Sequence, residues 1–132
     1  MPVPVLVWLG GAIAALGAAY LVYTHWDQVL DWLREYIPAV TPLIRKAASQ
    51  LGPKWEWVAI AAADMLDELH AKISHKLYHK LANGNWLSEA TETREIPTDE
   101  LPPSVLKKLR QKRENADITE EIEDEIGMEI SA

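Results

Sequence analysis

From Met1 to His25 every position is apolar or uncharged, and the first charged side chain is Asp27. A helix over Val3 to Tyr23, rising ~1.5 Å per residue, is about 31 Å long and matches a bilayer's hydrocarbon core of about 30 Å. The run predicts a transmembrane helix over residues 1–24, and with no Lys or Arg ahead of it a cleaved secretory signal fits less well. Projected as a helix, Gly11, Ala14, Ala15 and Ala18 share one narrow stripe, with Leu9, Ile13, Leu16 and Tyr20 opposite. Small residues allow close backbone approach in lipid, so this stripe is the expected contact with a second copy or with another spanning helix. Tyr20, Tyr23, Trp26 and Trp32 are the expected aromatic anchors at the membrane interface.

Between His25 and Ile37 the pattern changes to an amphipathic one. Trp26, Val29, Leu30, Trp32, Leu33, Tyr36 and Ile37 fall on one side, with Asp27, Gln28, Asp31, Arg34 and Glu35 on the other. Pro38 and Pro42 predict a turn, after which Thr41 caps a second helix that runs to about Leu51 and ends at Gly52 and Pro53. A third helix is expected from Pro53 to Asn83. Its apolar arc is Trp55, Val58, Ala62, Met65, Leu66, Leu69, Ile73 and Leu77, and Lys72, Lys76 and Lys80 form a basic row on its solvated side. Residues 25–86 therefore read as a small helical bundle.

Beyond Trp86 the composition shifts to Ser, Thr, Glu and Pro, and Pro97, Pro102 and Pro103 mark a linker. Pro103 and Ser104 open a short helix carrying Val105, Leu106 and Leu109, and a basic block follows over Lys107 to Arg113. The acidic stretch from Glu114 to Glu129 holds Ile118, Ile122 and Ile126 at intervals of four, with Gly127 weakening the last turn. Such a row is suited to a groove on a cytoplasmic protein partner. Residues 87–132 are accordingly read as a charged, partly disordered tail.

Thirteen Lys and Arg against 20 Asp and Glu give a net charge of -7 and a pI near 5.0. The whole excess falls after residue 83, and the acids beside the basic block would repel phosphate, so nucleic acid is not an expected partner. With no cysteine, disulfides, thiolate metal sites and thiol nucleophiles are excluded. Arg34, Arg45 and Lys46 follow the apolar run while none precedes it, which places the N-terminus outside and the rest in the cytoplasm. Among the histidines, His75 and His79 lie one helical turn apart, but HKLYH lacks the Glu of HExxH, and no metal or cofactor is expected. Neither a Gly-rich phosphate loop nor a nucleophile elbow is present, so the chain is not read as an enzyme.

The opening MPVPVLVWLGGAIAALG resembles the uncharged, Gly- and Ala-rich first helix of small filamentous-phage minor coat proteins, over less than a fifth of the chain. The resemblance implies a virion or membrane-active role. The expected fold is all-α: one N-terminal transmembrane helix, a small cytoplasmic helical bundle and a charged tail. The expected function is that of a scaffold, adaptor or accessory subunit of a membrane complex, with membrane lipid, a second copy or another spanning helix, and a cytoplasmic protein as partners. The alternative is a membrane-active effector or phage structural or lysis protein that self-assembles through its first helix.

Overall fold

The computed structural model describes residues 21–52, 56–80 and 83–130. Strand β1 (Leu21–Val22) leads into helix α1 (Trp26–Leu51), and strands β2 (Trp57–Met65), β3 (His70–Lys80) and β4 (Trp86–Pro97) follow. A 3-10 turn (Thr98–Glu100), helix α2 (Pro103–Gln111), strand β5 (Ala116–Asp117) and helix α3 (Thr119–Ile126) complete the order. The strands form one sheet, ordered β1-β4-β3-β2-β5, antiparallel except where β1 runs parallel to β4. The fold is mixed α/β, which overturns the all-α expectation.

The expected single-pass membrane placement is corrected too. Among the described residues no helix is long and apolar enough to cross a membrane. Leu21 and Val22 pair with Arg94 and Glu95 of β4 instead of closing a spanning helix, and the Tyr23 amide donates to the Glu95 carbonyl at 2.7 Å. The long helix α1 carries Asp27, Asp31, Arg34, Glu35, Arg45 and Lys46 on its exposed side, so it is amphipathic along its whole length. Gly11, Ala14, Ala15, Ala18 and Tyr20 lie outside the described residues.

Helix α1 begins where the Gln28 side chain turns back, its Oε1 accepting from the amides of Thr24 at 2.8 Å and His25 at 3.0 Å. This occupies donors that no helical carbonyl can reach. It then continues through Pro38 and Pro42, where a turn was expected. The two prolines are four residues apart and both exposed, as is Arg34. The carbonyls of Arg34 and Pro38, deprived of an amide donor, therefore face water, and each interior proline costs about 3 kcal/mol. Opposite them Val29, Leu33, Ile37, Val40, Ile44 and Ala47 are buried against the sheet, and this burial carries the helix past both breaks.

Residues 57–80 form two strands, not the expected third helix. The sheet's inward face is Ala59, Ala61 and Ala63 of β2, set opposite Leu77, His75 and Ile73 of β3, and Ile96 of β4 lies beside Ala71. Side chains alternate between faces, so Ala59, Ala61 and Ala63 are buried on the inward face while Val58, Ile60, Lys72 and Lys76 point outward. On the outward face Asn115, at φ 53, ties the chain down before β5. Its amide donates to Asp64 at 2.7 Å, its Nδ2 donates to the Tyr78 hydroxyl at 2.6 Å, and its Oδ1 accepts from Lys76 Nζ at 2.9 Å. Asn is among the few residues that tolerate this left-handed backbone.

The expected disordered tail is ordered through residue 130 among the described positions. Val105 and Leu109 of α2 and the row Ile118, Ile122, Ile126 and Ile130 are buried in the chain's own core. Gly127, at φ 71, ends α3 in a left-handed cap.

Candidate functional site

A cleft of about 300 Å³ opens between the first half of α1 and strand β4, lined by Tyr23, Trp32, Glu35, Tyr36, Ala39, Glu92 and Arg94. Trp32, Glu35, Tyr36 and Ala39 follow the i, i+3, i+4, i+7 spacing of one helical stripe. Glu92 and Arg94 are two apart on the inward face of β4, opposite His75 and Ile73. Tyr23 is delivered by the turn that joins β1 to α1.

A register shift in the β3–β4 ladder gives the site its composition. Lys76 pairs with Ala90 and His75 with Glu92, so Thr91 is an extra residue in β4. Strict alternation would send one of Thr91 and Glu92 outward, yet both are buried. A bulge of this kind re-aims side chains, here adding a carboxylate to a face that is otherwise core.

Arg94 is the hub. Its guanidinium lies 4.6 Å from the Trp32 ring centre and 5.8 Å from that of Tyr23, positions where a cation is attracted to the ring face. Nε donates to the Tyr23 hydroxyl at 3.2 Å, one terminal nitrogen donates to the Thr93 carbonyl at 3.0 Å, and the other bonds Glu92 Oε1. The pair is buried, with Arg94 4% and Glu92 7% exposed. A buried ion pair persists only where each charge faces the other and further hydrogen bonds engage it.

Behind this pair the His75 ring meets Tyr36 edge-on, at 5.3 Å between centres and 78° between planes. The Thr91 hydroxyl donates to the His75 carbonyl at 3.0 Å, so at 2.6 Å from Nδ1 it accepts, and the ring carries its proton on Nδ1. Burial pushes the His75 imidazole down to about 4, which keeps it neutral near pH 7. Burial also pushes the Tyr36 phenol well above its ordinary 10. The Thr91 hydroxyl beside it opposes that shift, as does Arg94, while the Glu92 charge adds to it.

Buried polar atoms without a hydrogen-bond partner are concentrated here. Of six among the described residues, four belong to this cluster: Trp32 Nε1, Tyr36 Oη, His75 Nε2 and Glu92 Oε2. Each such atom costs about 1–3 kcal/mol if nothing engages it.

Of the residues singled out in the sequence, Tyr23 and Trp32 come together in this cleft instead of flanking a bilayer. Trp26 is buried beside α3, its indole donating to Glu125 at 2.8 Å. Ile118, Ile122 and Ile126 are buried in the chain's own core. Tyr36 was named only as part of the apolar face of α1, and Glu92 and Arg94 were not singled out. The signal for the last two was the segment TETREI, whose β-branched residues alternate with charges that share a face only if the segment is a strand. No protein-family model matches this chain, nor does any curated protein or solved structure.

Proposed function

We propose that the chain is a binding module that holds a small molecule in the cleft between α1 and β4, without transforming it. The observation that carries this reading is the cleft itself, about 300 Å³ walled by the Tyr23, Trp32 and Tyr36 side chains and backed by the buried Glu92–Arg94 pair. With Arg94 and Glu92 occupied by one another and the Tyr36 phenol held protonated, the lining is a set of fixed donors and acceptors. Fixed polar groups among aromatic walls are how small-molecule sites set orientation.

The test uses the full chain and a panel of metabolite-sized compounds, read by thermal stabilisation. Ala39 lies on the lining and is half-buried, so Ala39→Trp fills the cleft from a helical position that accepts a larger side chain. At least one compound is expected to stabilise the chain, with the effect lost in Ala39→Trp while the circular dichroism spectrum is kept. Stabilisation by no compound, or stabilisation that survives Ala39→Trp unchanged, overturns the reading.

A further inference from the structure

The charge left over in the cleft narrows what it holds, on the premise that the cleft is a binding site. Three lining residues are charged: Glu35, Glu92 and Arg94. Glu92 and Arg94 form a buried ion pair and cancel. Glu35 is exposed at the rim and has no ion pair among the described residues. One turn earlier on α1, Asp31 and Arg34 neutralise each other at 3.1 Å, and the buried His75 behind the site is neutral near pH 7. Two carboxylates against one guanidinium leave the lining with one negative charge. Coulomb attraction acts through space, so a rim carboxylate favours a cation in the cleft and disfavours an anion without needing one fixed rotamer.

The walls decide which kind of cation. Tyr23, Trp32 and Tyr36 line the cleft, and the first two already face the Arg94 guanidinium, at 5.8 and 4.6 Å from its central carbon. Rings so placed offer a ligand an apolar surface that tolerates positive charge. Of the two lining carboxylates only Glu35 is exposed, since Glu92 is 7% exposed and bound to Arg94. An ammonium with several N–H groups would give up water for a single acceptor, whereas a cation wrapped in alkyl groups has no N–H to leave unpaired. We infer that the cleft is built for a compact organic cation bearing a trimethylammonium head, with the aromatic wall on one side and Glu35 as its counter-ion. At roughly 30 Å³ for each water-sized group, a cleft of about 300 Å³ admits about ten non-hydrogen atoms, enough for such a head on a short stem.

Titration calorimetry on the full chain with four probes of similar size separates the classes. These are choline, its uncharged isostere with a tert-butyl group in place of trimethylammonium, the anion tert-butylacetate, and ethanolamine, which is choline without its methyl groups. Choline is expected to bind at least about tenfold more tightly than the isostere or the anion, and more tightly than ethanolamine. Glu35→Gln keeps the side chain's size at an exposed helix position; choline should there lose most of its advantage while the isostere binds as before. Ala39→Trp should abolish choline binding. A smaller preference over the isostere or the anion, or one that Glu35→Gln keeps in full, overturns the cation assignment and leaves the cleft as a binding site. Ethanolamine binding as tightly as choline overturns the trimethylammonium head in the same way. The assignment also fails, with the binding site intact, if none of the four binds while another compound stabilises the chain and loses its effect in Ala39→Trp. If nothing binds at all, both readings fall. Because the ranking of the four probes is measured on the unaltered chain, it stands whether or not a variant folds.

Discussion

His75 should make this protein lose stability on acidification. The ring is fully buried in β3, with Nδ1 held by Thr91 and its edge against Tyr36, and burial lowers its proton affinity from 6.5 to about 4. In the unfolded chain the imidazole takes up a proton near 6.5. Between the two values the unfolded state binds more protons than the folded one, so stability is complete above about pH 6.5, falls with pH, and stops falling below about pH 4. At 1.36 kcal/mol for each pH unit the full loss is about 3 kcal/mol, and about 2 kcal/mol is gone by pH 5. Urea unfolding from about pH 7 to about pH 4, on the unaltered chain and on His75→Phe, isolates the effect. Phe keeps a ring against Tyr36, does not titrate, and leaves the Thr91 hydroxyl without its donor, so the variant starts about 1 kcal/mol less stable at neutral pH. Carboxylates titrate alike in both proteins and cancel in the difference. The stability gap should close and then reverse as the pH falls towards 5. Two curves that stay parallel between pH 6.5 and 4 would refute the reasoning, because a buried neutral imidazole cannot be pH-silent.

Three further outcomes are expected. Arg94→Met leaves the Glu92 carboxylate buried without its counter-ion and should destabilise by about 3–5 kcal/mol in denaturant melts, whereas Glu92→Leu with Arg94→Met should recover most of that loss. A double variant no more stable than the single one contradicts this account of the pair. Pro38→Ala restores an amide on the exposed side of α1 and should stabilise by about 2 kcal/mol, the proline penalty less its entropic benefit in the unfolded chain; destabilisation argues against a continuous helix there. Ile122→Ala should destabilise by about 2–5 kcal/mol, since this residue is fully buried, and a change within about 0.5 kcal/mol would place α3 outside the core.

How far the sequence discloses this fold depends on whether its spacings are unique to one period. The face of α1 was legible, because Trp26, Val29, Leu30, Trp32, Leu33, Tyr36 and Ile37 are all buried and the charged residues between them all exposed. Pairs separated by three and four in succession have no counterpart in a strand. The start of α2 at Pro103 and the helical isoleucine row of α3 were legible for the same reason, although the row's occupant proved to be the chain's own core. Residues 57–80 were ambiguous. Lys72, Lys76 and Lys80, like His75 and His79, are four apart, and four is one helical turn and also two full pleats of a strand. The alanines of β2 favour a helix by intrinsic propensity, and only the partner strands and α1 make a strand of them.

The candidate site was hidden for a related reason, since its ion pair sits on a strand read as linker. The opposite charges of Glu92 and Arg94 are two residues apart, a spacing that does not bring side chains together on a helix but places them on one face of a strand. Weighed in that way, TETREI reads as a strand with an ion pair on one face, and the pair identifies that face. Exposed charges so close in sequence gain little from each other, whereas two charges turned towards Trp32 and Tyr23 must neutralise one another to be tolerated. The bulge at Thr91 stays invisible even then, because an extra residue is defined only against the register of a neighbouring strand, and that register is fixed by β3.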